Sequence, residues 1–266
     1  MSVFNRSLPV IGMCHMLPFP GEPTYDSIGG INKIKKRVIR EINALQNGGA
    51  DAIIFSNEFS TPYNSNISKA SVAAMSAIIS SIYDYIKVPF GIDCMYDAKA
   101  AIDIAIAVNA DFIRGILSGN YNTGINQIII NSSELLTHYS QLNQNKNLEL
   151  WCSIYPEYID LMRNQYSINL KTIIDRVCAE INPKAICLHS KTIEGYQNTL
   201  KDIKSYNIKI KIYADGGCND NNINKLKKSI DGLIIGTHLK FEHQFYNEIS
   251  ENEVKIFISQ LNRKDN

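Results

Sequence analysis

The chain predicts a single (β/α)8 barrel of the phosphate-binding type (a TIM barrel) over residues 1–266, and three observations predict it. Short β-rich runs recur along the sequence, each followed by a longer stretch with helical periodicity, as in repeated βα units around a parallel sheet. Eight such runs can be counted. The last lies in Asp231-Gly232-Leu233-Ile234-Ile235-Gly236-Thr237-His238-Leu239-Lys240 and ends in Gly-Thr, just after the turn Ala214-Asp215-Gly216-Gly217-Cys218-Asn219-Asp220. Backbone N–H groups approach an anion closely where no side chain intervenes, a following helix start adds its positive end, and barrels commonly hold phosphate after strands seven and eight.

Strand one is Pro9 to Met13, and the helix after it spans about Ile31 to Gln46, with Ile34, Val38, Ile42 and Leu45 on one face and Gly48-Gly49 suited to a C-terminal cap. Strand two is Asp51 to Ser56, its helix about Ile67 to Ile86; strand three is Pro89 to Met95, its helix Ala98 to Val108; strand four is Asp111 to Leu117. Strand five, Leu148 to Ile154, precedes a helix from about Leu170 to Ile181, and strand six, Ala185 to His189, one from about Glu194 to Tyr206. Strand seven, Ile208 to Ala214, leads to a helix over about Asn221 to Ile230, and strand eight, Gly232 to Gly236, to a last one over about Glu253 to Leu261. A doubly wound open sheet is the rival, but the G-x-G-x-x-G turn it usually carries after its first strand is missing. Two long connections, Cys14 to Gly30 and Ser118 to about Ile130, follow strand ends and read as site walls or lids.

With 27 basic and 26 acidic side chains and a net charge of +1, bulk electrostatics nominate neither nucleic acid nor an anionic membrane. Cys14, Cys94, Cys152, Cys178, Cys187 and Cys218 are dispersed without a C-x-x-C pair, which favours reduced core thiols over a disulfide framework. No run approaches the ~20 apolar residues of a membrane span and the N-terminus lacks a signal peptide, so a cytoplasmic protein is expected. A homo-oligomer through outer helices is compatible with the sequence, although no apolar stripe selects one.

Every βα loop of a barrel opens onto one face, so polar residues just after the strands converge there. The candidates are His15, Asn57, Glu58, Asp93, Arg114, Ser153 with Tyr155 and Glu157, His189 with Ser190 and Lys191, Asp215, and His238 with Lys240. His15, in a loop stiffened by Pro18 and Pro20, either transfers protons or satisfies loop carbonyls. Glu58 and Asp93 either form a carboxylate pair with separated pKa values or neutralise Arg114, which is the simpler arrangement. Asp215, Gly216, Gly217, Gly236 and Thr237 are the candidate phosphate contacts, and Asn57, His189, Lys191 and His238 candidate substrate contacts. A Schiff base at Lys191 would need burial, which its polar surroundings do not provide. Without H-x-H or H-E-x-x-H spacing, no cofactor is expected, and a divalent metal stays an open alternative.

Four segments carry a resemblance: Gly12 to Gly21, Gly48 to Ile54 leading to Asn57 and Pro62-Tyr63, Ala110 to Arg114, and Asp231 to Lys240. Over nearly its whole length the chain resembles the BtpA family of barrel proteins, which includes the bacterial SgcQ proteins and a factor linked to photosystem I biogenesis. The resemblance implies a barrel, a phosphate-type site at Gly216, Gly217, Gly236 and Thr237, and a poorly defined enzymatic role. The chain departs from the family pattern after strand five, where Cys152 to Tyr158 replaces an Asp/His/Lys-His series, and at Gly124 and Ser56, where acidic residues are usual. Ala214 to Gly217 followed by a Gly-Thr strand end is also similar to the phosphate loop of IMP dehydrogenase and GMP reductase barrels, but their catalytic Cys loop has no clear counterpart. Two functions follow as expectations: lyase, isomerase or glycosidic chemistry on a sugar phosphate or nucleotide by His15, Glu58, Asp93 and Arg114, or a barrel that has lost turnover and acts in binding or assembly.

Overall fold

The computed structural model describes residues 4, 6–122, 127–143, 147–155, 160–161, 170–190, 192–206 and 209–261. In chain order the elements are β1 (Val10–His15), α1 (Gly30–Gly48), β2 (Ala52–Ser56), α2 (Lys69–Ser81), β3 (Phe90–Asp93), α3 (Ala98–Val108), β4 (Phe112–Gly115), β5 (Gly119–Asn122) and β6 (Gln127–Ile130). There follow α4 (Ser132–Leu142), β7 (Glu149–Tyr155), β8 (Asp160–Leu161), α5 (Leu170–Glu180), β9 (Ala185–Leu188), α6 (Ile193–Ser205), β10 (Lys211–Asp215), β11 (Gly232–Ile235) and α7 (Glu251–Leu261). Strands β1, β2, β3, β4, β7, β9, β10 and β11 close into a parallel barrel in that order, so the expected fold is the one observed.

Side chains alternate between the two faces of each strand, and the alternation divides the core in two. Val10, Cys14, Ile53, Phe55, Ile113, Cys152 and Leu233 face outward into the layer shared with the helices. Ile11, Met13, Ala52, Ile54, Phe112, Trp151, Cys187, Tyr213 and Ile234 face the barrel axis. There the rings of Phe112 and Trp151 stack at 3.7 Å, and Tyr213 meets Trp151 edge-on at 4.8 Å. Gly91 makes room for this floor, since a Cβ there would lie 2.2 Å from the Phe112 ring. The lower barrel is therefore solid, and space for a ligand is left only toward the C-terminal ends of the strands.

Local chemistry explains most element boundaries. Helix α1 stops at Gly49, whose φ of 97° is left-handed, as the Gly48-Gly49 pair predicts. Ser68, Asp97 and Thr192 cap α2, α3 and α6 by accepting backbone N–H bonds.

Three expectations are corrected. Strand β1 runs on to His15, so the imidazole stands on a strand end rather than in the proline loop. The connection after β4 is not plain loop: β5 and β6 pair antiparallel, and β8 joins β5, forming a small sheet. Between β10 and β11 the expected helix is replaced by a single 3-10 turn, Ile223–Lys225. Asn side chains compete with the helix there, Asn222 Oδ1 accepting from Asn219 N at 2.9 Å and Asn219 Oδ1 from Asn221 N at 3.0 Å.

Candidate functional site

The inward layer above the aromatic floor is polar. Two residues beyond Met13, Gly91, Phe112, Trp151, Cys187, Tyr213 and Ile234 stand His15, Asp93, Arg114, Ser153, His189, Asp215 and Gly236, and all seven line one cavity of about 330 Å³. Glu58, from the loop after β2, joins them. The strand period of two thus turns residues far apart in sequence into a single ring.

Arg114 stands at the centre, its Nη1 2.9 Å from Asp93 Oδ2 and its Nη2 2.8 Å from Asp215 Oδ2. Burial opposes its charge, but Asp215 and Asp93 hold it above its ordinary value. The Asp93 contact meets the distance of an ion pair without hydrogen-bond geometry, so charge rather than direction holds it. Burial pushes the Asp93 carboxyl up to about 7; Arg114 opposes the rise while Glu58 and Asp215 add to it. Asp215 is raised by the same burial, again against Arg114.

Glu58 moves the other way. Burial alone would raise it, but the His15 ring beside it, with Arg114 and Lys240 behind, brings it down to about 2. His15 Nε2 lies 2.9 Å from Glu58 Oε2. The site therefore sets a carboxyl able to hold a proton near neutrality beside one that stays ionised, the arrangement acid–base chemistry requires. Ser153 Oγ and Arg114 Nε are buried with no hydrogen-bond partner among the described residues. Such atoms at a cavity wall are open to a hydrogen bond with a molecule placed there.

On the side of β10 and β11 the wall is backbone. Gly216 and Gly217 have φ of 76° and 65°, and a Cβ on Gly217 would lie 2.3 Å from the Ser190 carbonyl oxygen, so neither position suits another residue. His189 Nδ1 donates to the Asp215 carbonyl at 2.8 Å, the Tyr196 hydroxyl to the Gly216 carbonyl at 2.7 Å, and Asn222 Nδ2 to the Gly217 carbonyl at 2.7 Å. Gly216 N donates to Ile234 O at 3.1 Å, which ties the two glycine loops side by side and commits that amide. Gly217, Cys218, Gly236 and Thr237 remain as candidate anion donors, all lining the cavity. Gly236 is small for a further reason, since a Cβ there would come within 3.1 Å of the His15 ring. The helix start expected after Gly236 is only a 3-10 turn, Thr237–Leu239, so any anion there would rest on local amides rather than a helix dipole.

Other expected residues fall less centrally. Asn57 is absent from the cavity lining and its Oδ1 accepts from Met95 N at 2.8 Å, tying the β2 and β3 loops together. His238 lines the mouth, its ring stacked on His243 at 4.3 Å and its Nε2 3.4 Å from Asp220; burial lowers it, against Asp220. Lys191, Glu157, Gly124 and the Tyr155 side chain lie outside the described residues. Tyr96, His243 and Phe245 line the cavity without having been expected. Ser153 was legible from parity with Trp151, whereas the other three sit in loops that carry no period. Among the described residues no group of three or more His, Cys, Asp or Glu side chains could hold a metal ion, and no helix is long and apolar enough to cross a membrane.

Comparison with known proteins adds kinship. The model of the family described as "BtpA family" matches residues 6–263. The putative sgc region protein SgcQ of Escherichia coli (strain K12) is 30% identical over 263 residues, covering 97% of this chain and 96% of that protein. The photosystem I biogenesis protein BtpA of Synechocystis is 27% identical, covering 97% and 89%. Among solved structures, tryptophan synthase from M. tuberculosis in its aminoacrylate-bound form superposes with a TM-score of 0.56 at 11% identity, over 96% of this chain and 92% of that one. KGPDC from Streptococcus mutans does so with a TM-score of 0.56 at 10% identity, over 96% and 98%. At these identities the structures speak to the fold alone.

Proposed function

This chain belongs to the BtpA family, and from that premise we propose that it is an enzyme acting on a small phosphorylated metabolite, a sugar phosphate before a nucleotide. One observation carries the reading: a single cavity has backbone-lined glycine loops on one wall and a pair of carboxyl groups with separated proton affinities on the other. In this reading the amides around Gly217, Gly236 and Thr237 hold the phosphate, while Asp215, Ser153 and His189 meet the hydroxyl groups of the attached carbon chain. Asp93 gives a proton to the reacting oxygen, and Glu58, kept ionised by His15, takes one up or stabilises positive charge that develops beside it. Arg114 sets the height of both aspartates and balances their charge. Carboxylates and a serine at the ring favour a polyhydroxylated substrate. Lyase, isomerase and glycosidic steps all draw on this acid–base set.

A second reading follows from the relative named for photosystem I biogenesis and from β7, whose described rim residue, Ser153, is not ionisable. There the barrel binds without turnover and serves assembly. Thermal unfolding with matched pairs of phosphorylated and unphosphorylated sugars, and with nucleoside monophosphates, tests the ligand class, and assaying whichever compound binds for turnover separates the two readings. A ligand at a hundred times its dissociation constant adds about 2.7 kcal/mol of stability. The enzyme reading expects a rise with a sugar phosphate, none with its parent sugar, and loss of the rise in Gly236→Glu. A chain indifferent to every phosphorylated compound would not be this enzyme.

A further inference from the structure

Beneath the cavity lies a second polar group that the proposed chemistry does not use directly. Lys240 is fully buried, at 0% exposure, and its Nζ sits 3.0 Å from His15 Nδ1 and against the Phe245 carbonyl oxygen. The rings of Phe59 and Phe245 face the same Nζ at 4.7 and 5.1 Å. An ammonium has only donors, and the His15 nitrogen, the Phe245 carbonyl and the two ring faces all suit it. A buried lysine outside the lining of this cavity, with its Nζ at the distal nitrogen of a site histidine, has a specific consequence for that histidine.

We infer that Lys240 is a positioning residue which, by donating to His15 Nδ1, fixes the imidazole proton on Nε2 and so turns His15 into a constant hydrogen-bond donor toward Glu58. The chain Lys240–His15–Glu58 then runs one way, each member donating to the next. Glu58, accepting from His15 Nε2, remains a carboxylate. Four titratable groups on other elements face Lys240: Glu41 and Arg37 of α1, paired at 2.9 Å, Glu58 after β2, and Cys14 of β1, whose thiol burial keeps protonated. Burial brings Lys240 down to about 8, while Glu41 and Glu58 resist that fall and Arg37 promotes it. At neutral pH the ammonium is still the main form, and the one-way chain is intact.

This inference rests on the reading of His15 and Glu58 as site residues, but its test needs no ligand. Nitrogen NMR of isotope-labelled histidine in the intact wild-type chain reports which ring nitrogen carries the proton. At neutral pH the expected spectrum shows Nε2 protonated and Nδ1 bare. In Lys240→Met, which keeps length and removes the charge, Nδ1 is expected to take up a proton, since Glu58 favours the imidazolium and the ammonium no longer opposes it. A merely structural lysine would change stability without moving that signal. A protonated Nδ1 in the wild type overturns the inference even if the variant does not fold, as does a bare Nδ1 in a folded variant. Failure of the ligand panel would count against the phosphate reading and leave this spectrum unchanged.

Discussion

Asp93 and Glu58 follow neighbouring strands, yet their surroundings drive them to about 7 and about 2. The split has consequences for both catalysis and folding. If Asp93 delivers the proton, turnover falls as pH rises through about 7, and Asp93→Asn lowers kcat by about 10²- to 10⁴-fold in a pH-rate assay. Because the folded chain holds this proton longer than the unfolded chain, whose value is near 3.8, Asp93 removes stability as pH rises between those limits. Glu58 acts oppositely: its ionised form favours the folded state above its ordinary 4.5, and that gain is lost as pH falls toward 2. Urea midpoints across pH should therefore decline less steeply toward alkaline values in Asp93→Asn than in the wild type; an identical slope would assign Asp93 an ordinary acidity. The sequence made these side chains visible as polar residues at strand ends. Their linkage was not visible, because Lys240 and His15 are separated by 225 positions and only barrel closure brings them together.

At the scale of elements, one device recurs at the opposite end of the barrel. Asp51, Asp111 and Asp231, each just before a strand, accept from Val10 N, Phe90 N and Ile212 N at 2.8, 2.9 and 2.9 Å, in each case an amide of the neighbouring strand. Polar groups at this face of a barrel serve stability, whereas those at the C-terminal face serve chemistry. Asp111→Ala should lower stability by about 1 to 3 kcal/mol in urea unfolding, with Asp111→Asn recovering much of it and neither changing ligand affinity. An affinity loss in either variant would show that the two ends are coupled. Strands and most helices were legible because burial imposes periods of two and of 3.6 on apolar residues. The helix expected over Asn221 to Ile230 failed because Asn219 and Asn222 bind local backbone, and the β5–β6 pair escaped notice because each strand buries one side chain, Tyr121 and Ile128, which leaves no apolar run to read.

For the whole molecule, the division of the barrel into a filled lower half and an open upper one assigns the working volume. Trp151, Phe112 and Tyr213 close the axis from below, and the ring from His15 to Gly236 borders the space above. The family was readable from its segments, as was the pairing of the two glycine loops, because both depend on short contiguous stretches such as Asp215-Gly216-Gly217. The substrate was not, because the cavity lining is drawn from all eight barrel strands and their loops rather than from one contiguous stretch. If the amides around Gly217 and Gly236 hold one phosphate while the carboxyl ring faces the rest of the ligand, a crystal structure of the protein grown with inorganic phosphate should show one tetrahedral anion within hydrogen-bond reach of both amides. Phosphate bound elsewhere, with that position filled by water at saturating concentration, would contradict this placement.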